Sequence, residues 1–435
     1  MKSSHQKIGL ISATSLVVGN MIGAGVFVLP AALSKYGSIG LIGWLISAFG
    51  AIVLAIIFSS LSKIISDKSG GPYVYSKNGF GDFIGFLVAW GYWVCTWIGN
   101  GAIVISVIGA SGFFFPAITN NPVFSVTYGI SIIWILTYIN TRGIKDSAIV
   151  QIITTLLKLL PILIVIVFGI FFFDISNFPK FNLTNNSDIS IIPIVASLTL
   201  YAFLGIESAS IPAENVKNPK KNIPKATMIG TLICVLVYFS GTVILFGVLP
   251  AEIMQNSPAP FVDAAEKIGG KYMASFVGLG TIIAGIGALN GWILMTGQMP
   301  MAASKDKLFP EVFGRQNSKG VPLLGLIIGS VLTSFVMLMN YNDSLVNQFE
   351  FLILLSTFIC LVPYLFTAAS FSLISLRNFK NGKLIKNIII SVFGFLFSVW
   401  AIYGSGKESV FYGFILLLLG IPLYVYIKWK NNRSL

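Results

Sequence analysis

Gly19-Asn20-Met21-Ile22-Gly23-Ala24-Gly25-Val26-Phe27-Val28-Leu29-Pro30 lies in the first long apolar run of this chain. Two glycines so close together in mid-run weaken a helix, because glycine readily adopts backbone conformations that a helix excludes. A second stretch repeats the pattern: Tyr201-Ala202-Phe203-Leu204-Gly205-Ile206-Glu207-Ser208-Ala209-Ser210-Ile211-Pro212. Gly23 precedes Pro30 by seven residues, and Gly205 precedes Pro212 by seven, so the two align without a gap.

Outward from these stretches, the composition fixes the solvent. Of 435 residues, 55% are hydrophobic and 10% are charged, against about 25% charged in soluble domains. Runs such as 41–62, 227–249 and 322–339 are long enough to cross about 30 Å of hydrocarbon. Twelve spans are expected, near 9–33, 40–62, 83–113, 123–140, 149–172, 191–213, 227–249, 273–303, 322–339, 347–375, 385–404 and 409–428. The chain therefore reads as an all-α polytopic membrane protein. No cleavable signal peptide is convincing, since the first run is long, carries Asn20 and leads directly into further spans.

The net charge of +13 follows topology. The tails and alternate loops hold 22 of the 28 Lys and Arg residues; the opposite loops hold Lys35, Lys180, Lys267, Lys271 and Lys407, and Lys158 lies inside the fifth span. The positive-inside rule then puts both termini in the cytoplasm, as an even span count requires. Nucleic acid is excluded as a partner because no aromatic-basic stripe lies outside the spans. The cysteines, Cys95, Cys234 and Cys360, all fall in spans without metal spacing and read as free thiols. His5 has no partner near it in sequence. No metal or cofactor is expected.

The two interrupted stretches fall in spans one and six, one at the head of each five-span half. Five is odd, so the second half enters the bilayer from the opposite side. Matched interruptions in inverted halves point to a transporter site. The repeats are expected at about 9–172 and 191–375, within one transporter domain, 1–435, with spans eleven and twelve (385–428) peripheral. Unwound backbone at membrane depth must face protein, water or ligand. The half-helix starting after a break offers free N–H groups and a positive dipole end to a carboxylate. The half-helix ending before it offers carbonyls to an ammonium. Glycines that merely let helices pack closely are the alternative for span one alone.

These residues resemble the amino acid–polyamine–organocation superfamily, which has the leucine-transporter fold. The resemblance rests on Gly19 to Phe27, on Gly70-Gly71-Pro72-Tyr73, and on Glu214-Asn215-Val216-Lys217-Asn218-Pro219-Lys220-Lys221-Asn222-Ile223-Pro224. It covers nearly the whole chain. Within it, Tyr92 to Asn100, Phe203 to Ser210, and Gly291-Trp292 with Gly297-Gln298 look like the basic amino acid/polyamine antiporters, above all those exchanging arginine for agmatine. The resemblance implies that Ile22, Gly23, Ala24 and Gly25 hold the substrate carboxylate and α-amino group. It implies that Trp292 stacks on the side-chain cation, and that Asn100, Thr96 and Ser356 bond its far end. Asn20, Tyr201 and Leu204 complete the expected binding set. Tyr92, Glu207 and Tyr364 would close the cytoplasmic path. In arginine/agmatine members a serine stands at Ala24 and a tryptophan at Tyr201.

The residues themselves support two of these roles. Tryptophan offers the best cation–π face, though many membrane tryptophans only pack. A mid-membrane carboxylate such as Glu207 is costly and functional by default; it would also suit the N-cap of a second half-helix. Lys158 lies twelve residues beyond Asp146, about 18 Å along a helix and too deep to snorkel fully. Lys158-Leu159-Leu160-Pro161 resembles sodium-independent amino acid transporters of the same superfamily, where the amine replaces a sodium ion. A structural amine bonded to the carbonyls of break one is the plainer reading.

The expected function is exchange of a cationic amino acid for its decarboxylated amine, of the arginine/agmatine or ornithine/putrescine type, by alternating access across the inner (plasma) membrane. The alternative is a proton-coupled, sodium-independent symporter of broader specificity. A non-transporting receptor is disfavoured by short loops without a signalling domain. Enzyme activity is not expected, because no nucleophile–base pair or phosphate loop occurs. A homodimer in the bilayer is compatible with the sequence.

Overall fold

Apolar runs become helices here because the bilayer offers the backbone no partner but itself. The computed structural model describes residues 8–23, 25–65, 70–142, 148–210, 213, 216–339 and 343–433. In chain order the α-helices are α1 Leu10–Met21, α2 Gly25–Ser34, α3 Gly40–Ile64, α4 Pro72–Phe80, α5 Asp82–Gly112, α6 Ala117–Asn120, α7 Pro122–Thr141, α8 Ala148–Gly169 and α9 Asp188–Tyr201. They continue as α10 Pro219–Val248, α11 Ala251–Asn256, α12 Pro260–Lys305, α13 Leu323–Met339, α14 Leu345–Asn378, α15 Asn381–Gly404, α16 Lys407–Leu418 and α17 Gly420–Arg433. The only β-pairing among the described residues is an isolated bridge between Ile8 and Val216.

Nine stretches among the described residues are long and apolar enough to cross a membrane, and α1 with α2, bent by 42°, makes a tenth. The two remaining intervals expected from the sequence hold the shorter apolar helices α9 and α13. The chain is an integral membrane protein. Several helices run past their apolar cores. Helix α10 starts eight residues before the expected span. Helix α12 bends at Gly269 and Gly270, where Gly270 has φ +68, so its first turns run apart from the span that follows.

Helix α5 is the axis of the molecule. Its apolar window is wholly buried, whereas those of α15 and of the α16–α17 pair are 28% and 22% buried and face lipid. It packs chiefly against α14 and α12. Small residues permit that centrality: a Cβ on Gly109 would stand 2.3 Å from the Pro258 carbonyl oxygen.

Polar groups in the spans are satisfied locally or across helix pairs. Thr231 and Thr281 donate to carbonyls four residues back, at 2.8 and 2.9 Å. The Trp44 indole N–H donates to Thr242 across α3 and α10, at 2.9 Å. Thr333 on α13 donates to the Trp97 carbonyl on α5, at 2.9 Å. The last two bonds tie α3 to α10 and α13 to α5.

Candidate functional site

Helix α1 ends at Met21, and its C-cap Ile22 leaves helical geometry with ψ 78. Helix α2 begins at Gly25; Ala24, expected in the binding set, lies outside the described residues. Helix α9 ends at Tyr201, and residues 202–210 continue as turns. Gly205 has φ +103, which a side chain would strain. A Cβ there would also come within 3.4 Å of Ser208 Oγ, Asn20 and Trp292. Both interruptions therefore meet at Gly205, with Trp292 of α12 against them. The Asn20 amide ties them together by donating to Ser208 Oγ at 2.9 Å.

A cavity lies at this meeting point, with an empty volume of about 440 Å³ that includes its open end. Of the residues expected from the sequence, Asn20, Gly23, Gly25, Thr96, Tyr201, Leu204, Trp292 and Ser356 line it. Cys95 lines it too. Gly25 is needed for close approach, since a Cβ there would stand 2.6 Å from Cε1 of Tyr201. The Tyr201 hydroxyl donates to the Gly99 carbonyl at 3.1 Å, and its ring meets Phe349 edge-on. Tyr201 thus forms a lid from α9 across to α5.

Two expectations need correction. Ile22 does not line the cavity; it is fully buried. Its N–H donates to the Val18 carbonyl at 2.7 Å, and that of Gly23 to the Met21 carbonyl at 2.8 Å. The N–H groups at the break without a partner in their own helix are therefore the first of α2, from Gly25 onward. The last carbonyls of α1 are also engaged. Gly19 accepts from Lys158 Nζ at 2.9 Å, and Asn20 from the Trp292 indole at 3.3 Å. An ammonium must share these oxygens through their second lone pairs or use the turn after α9.

Asn100 stands just behind the lining. It is buried, and its amide donates to Thr296 Oγ1 at 3.3 Å while its Oδ1 has no hydrogen-bond partner. A buried amide oxygen without a donor is an acceptor held ready, at a cost of about 1–3 kcal/mol. The hydroxyls of Thr96 and Ser356 donate to the carbonyls of Trp93 and Cys95, at 2.7 and 3.1 Å. Their lone pairs remain for a substrate N–H. Sequence reading missed Ser208 and Thr296. Thr296 lies one turn beyond Trp292, and Ser208 next to Glu207, so both were within reach of the motif.

Glu207 is fully buried outside the cavity. Its carboxylate accepts from the hydroxyl of Tyr92 on α5 and, at 2.6 Å, from that of Tyr364 on α14. Tyr92, Glu207 and Tyr364, paired in the sequence reading only by resemblance, are thus brought into one knot. No α-helix starts at Glu207 among the described residues, so the expected second half-helix with Glu207 at its N-cap is not seen there.

Lys158 is 3% exposed, and its amine donates to Gly19 at the end of α1. Replacing it with methionine should leave that carbonyl short of a strong donor. A lower melting temperature in detergent, equivalent to about 1–3 kcal/mol, is expected, with a weakened break. Unchanged melting and unchanged exchange in Lys158→Met would remove the amine from any account of the site. No group of three metal-ligating side chains occurs among the described residues.

The profile of the amino acid permease family matches residues 8–421. The chain is 30% identical to an arginine/agmatine antiporter of Chlamydia pneumoniae, over 99% of this chain and 92% of the relative. It is 32% identical to a cadaverine/lysine antiporter of Escherichia coli (strain K12), over 97% of this chain and 95% of the relative. It is 30% identical to a putrescine transporter of Haemophilus influenzae, over 99% of each.

Proposed function

This chain belongs to the amino acid permease family, and on that premise we propose that it exchanges a cationic amino acid for its decarboxylated amine by alternating access. The observation that carries the reading is the cavity where both helix interruptions meet, lined by Trp292 and, among the described residues, by no acidic side chain. Such a wall suits a guest recognised by dipoles and an aromatic face. In this reading the carboxylate rests on the first N–H groups of α2, where the helix dipole favours it. The distal cation lies on the Trp292 ring, and its N–H groups reach Asn100 Oδ1, Thr96 and Ser356. An amine lacking the carboxylate fits the same wall and leaves the α2 end empty. Relatives named for arginine/agmatine, cadaverine/lysine and putrescine transport support this pairing.

The basic loops favour cytoplasmic termini in an inner membrane, and hence a Tyr92–Glu207–Tyr364 knot on the cytoplasmic side of the cavity. Lys158 on the α1 carbonyl favours the second reading, proton-coupled symport without sodium.

Counterflow separates the two. Proteoliposomes preloaded with arginine, lysine or ornithine, or with the matching amine, should take up labelled amino acid without an ion gradient. Empty liposomes should not. Uptake into empty liposomes driven by an inward proton gradient alone would overturn the exchange reading.

A further inference from the structure

Helix α14 measures the depth of the pathway. Glu350 lies in its first turns, Ser356 lines the cavity, and Tyr364 sits in the knot with Glu207. At 1.5 Å per residue, Glu350 stands about 9 Å from Ser356 along the axis and about 21 Å from Tyr364. The Glu350 end is therefore on the far side of the cavity from the knot.

Glu350 is the centre of a second knot. Lys35 Nζ lies 3.1 Å from its Oε2, and the Tyr36 hydroxyl donates to its Oε1 at 2.5 Å. Lys35 also donates to Asn347 Oδ1 at 2.7 Å. Lys35 and Tyr36 directly follow α2, the half-helix that begins at the first break. The Lys35 and Glu350 side chains are 28% and 17% exposed, so the pair is partly shielded from water. Burial and the neighbouring carboxylate raise the Tyr36 pKa, which keeps its hydroxyl a donor. Phe349, the residue before Glu350 on α14, meets the Tyr201 lid that rests on Gly25. A surface cavity lies beside Glu350 and is lined also by Asn347, Lys407 and Glu408.

We infer that Lys35, Tyr36 and Glu350 form the latch of the non-cytoplasmic gate, holding the end of α2 against α14 while that side of the cavity is shut. The latch deepens the exchange reading and rests on it for its role in transport. Its geometry gives α14 one contact set on each side of the cavity. Opening that face means parting Lys35 and Tyr36 from Glu350 and lifting Tyr201 from Phe349. The Glu207 knot, at the other end of the same helix, can stay closed meanwhile.

The test reads access, not transport. Cys95 lines the cavity and becomes the only thiol when Cys234 and Cys360 are replaced by alanine. In right-side-out membrane vesicles, a membrane-impermeant thiol reagent should label Cys95 slowly. Lys35→Gln and Glu350→Gln should each speed labelling about tenfold, the population shift expected from releasing one shielded ion pair. Molar salt should speed labelling in the parent chain, by screening the pair, but not in either variant. The exchanged pair Lys35→Glu with Glu350→Lys should recover much of the protection. Equal labelling rates in the parent and both variants overturn the latch. So does faster labelling in the variants with no effect of salt on the parent, because packing would then explain the protection. A chain that fails counterflow but shows this labelling pattern keeps the latch and loses the exchange reading.

Discussion

Trp292→Leu is expected to weaken binding of the cationic substrate about thirtyfold. The ring lines the cavity, and its indole N–H donates to the Asn20 carbonyl at the end of α1. That bond holds the ring beside the two breaks. A cation on a desolvated tryptophan face gains about 2 kcal/mol, equivalent to roughly thirtyfold in affinity. Leucine removes both the face and the bond to Asn20. Trp292→Phe keeps a face and loses only the N–H, so it should fall between the two, within about tenfold of the parent chain. Isothermal titration with arginine, agmatine, lysine and cadaverine on purified protein measures both variants. Neutral amino acids serve as the control, since a cation–π loss should not reach them. Unchanged affinity for the cationic ligands in Trp292→Leu would remove the stacking role.

Much of this architecture could be read before any coordinates. The apolar spans and the paired interruptions follow from apolar run length and from glycine and proline placement. These signals are local or periodic. Trp292 and Glu207 stood out because each is an expensive residue in hydrocarbon. Less legible was which lone pair or N–H each partner takes. The sequence suggested free carbonyls at the end of α1; in the fold, Lys158 and Trp292 already bond Gly19 and Asn20. The resemblance implied that Ile22 and Gly23 help hold the carboxylate and α-amino group, yet both N–H groups turn back onto α1. Spacing fixes position along a helix but not what approaches it from a helix 272 residues later, as Trp292 approaches Asn20. The Glu350 knot was invisible for the same reason. Lys35 reads as one loop charge among several until α14 places a carboxylate 3.1 Å away.

In the proposed exchange, residues that line the cavity set how tightly a guest is held, and buried knots outside it set how often the cavity changes sides. Trp292 is in the first group. Glu207, fully buried and absent from the lining, is in the second.

Glu207→Ala and Glu207→Gln should therefore slow exchange while leaving binding nearly intact. Alanine strands the hydroxyls of Tyr92 on α5 and Tyr364 on α14, two helices packed against each other. Each buried hydroxyl left without an acceptor costs about 1–3 kcal/mol, so Glu207→Ala should lose roughly 2–6 kcal/mol of stability. Glutamine is gentler. Its amide oxygen can accept from one tyrosine, but its NH₂ can only donate, so one hydroxyl must turn or go unmet. In alternating access the knot has to form and part in each cycle. A change of about 3 kcal/mol in its closed state shifts a gating step about a hundredfold. Exchange in Glu207→Ala should accordingly fall by up to about a hundredfold, with Glu207→Gln intermediate, while calorimetric affinity for the cationic substrate stays within about threefold. Tyr364→Phe, which removes one donor and strands no hydroxyl, should cost less than Glu207→Ala in both melting temperature and rate. If Glu207→Gln exchanges at the parent rate, the carboxylate does not gate. If affinity falls in step with rate, Glu207 acts through the cavity wall, and the division between binding and gating residues fails at this position.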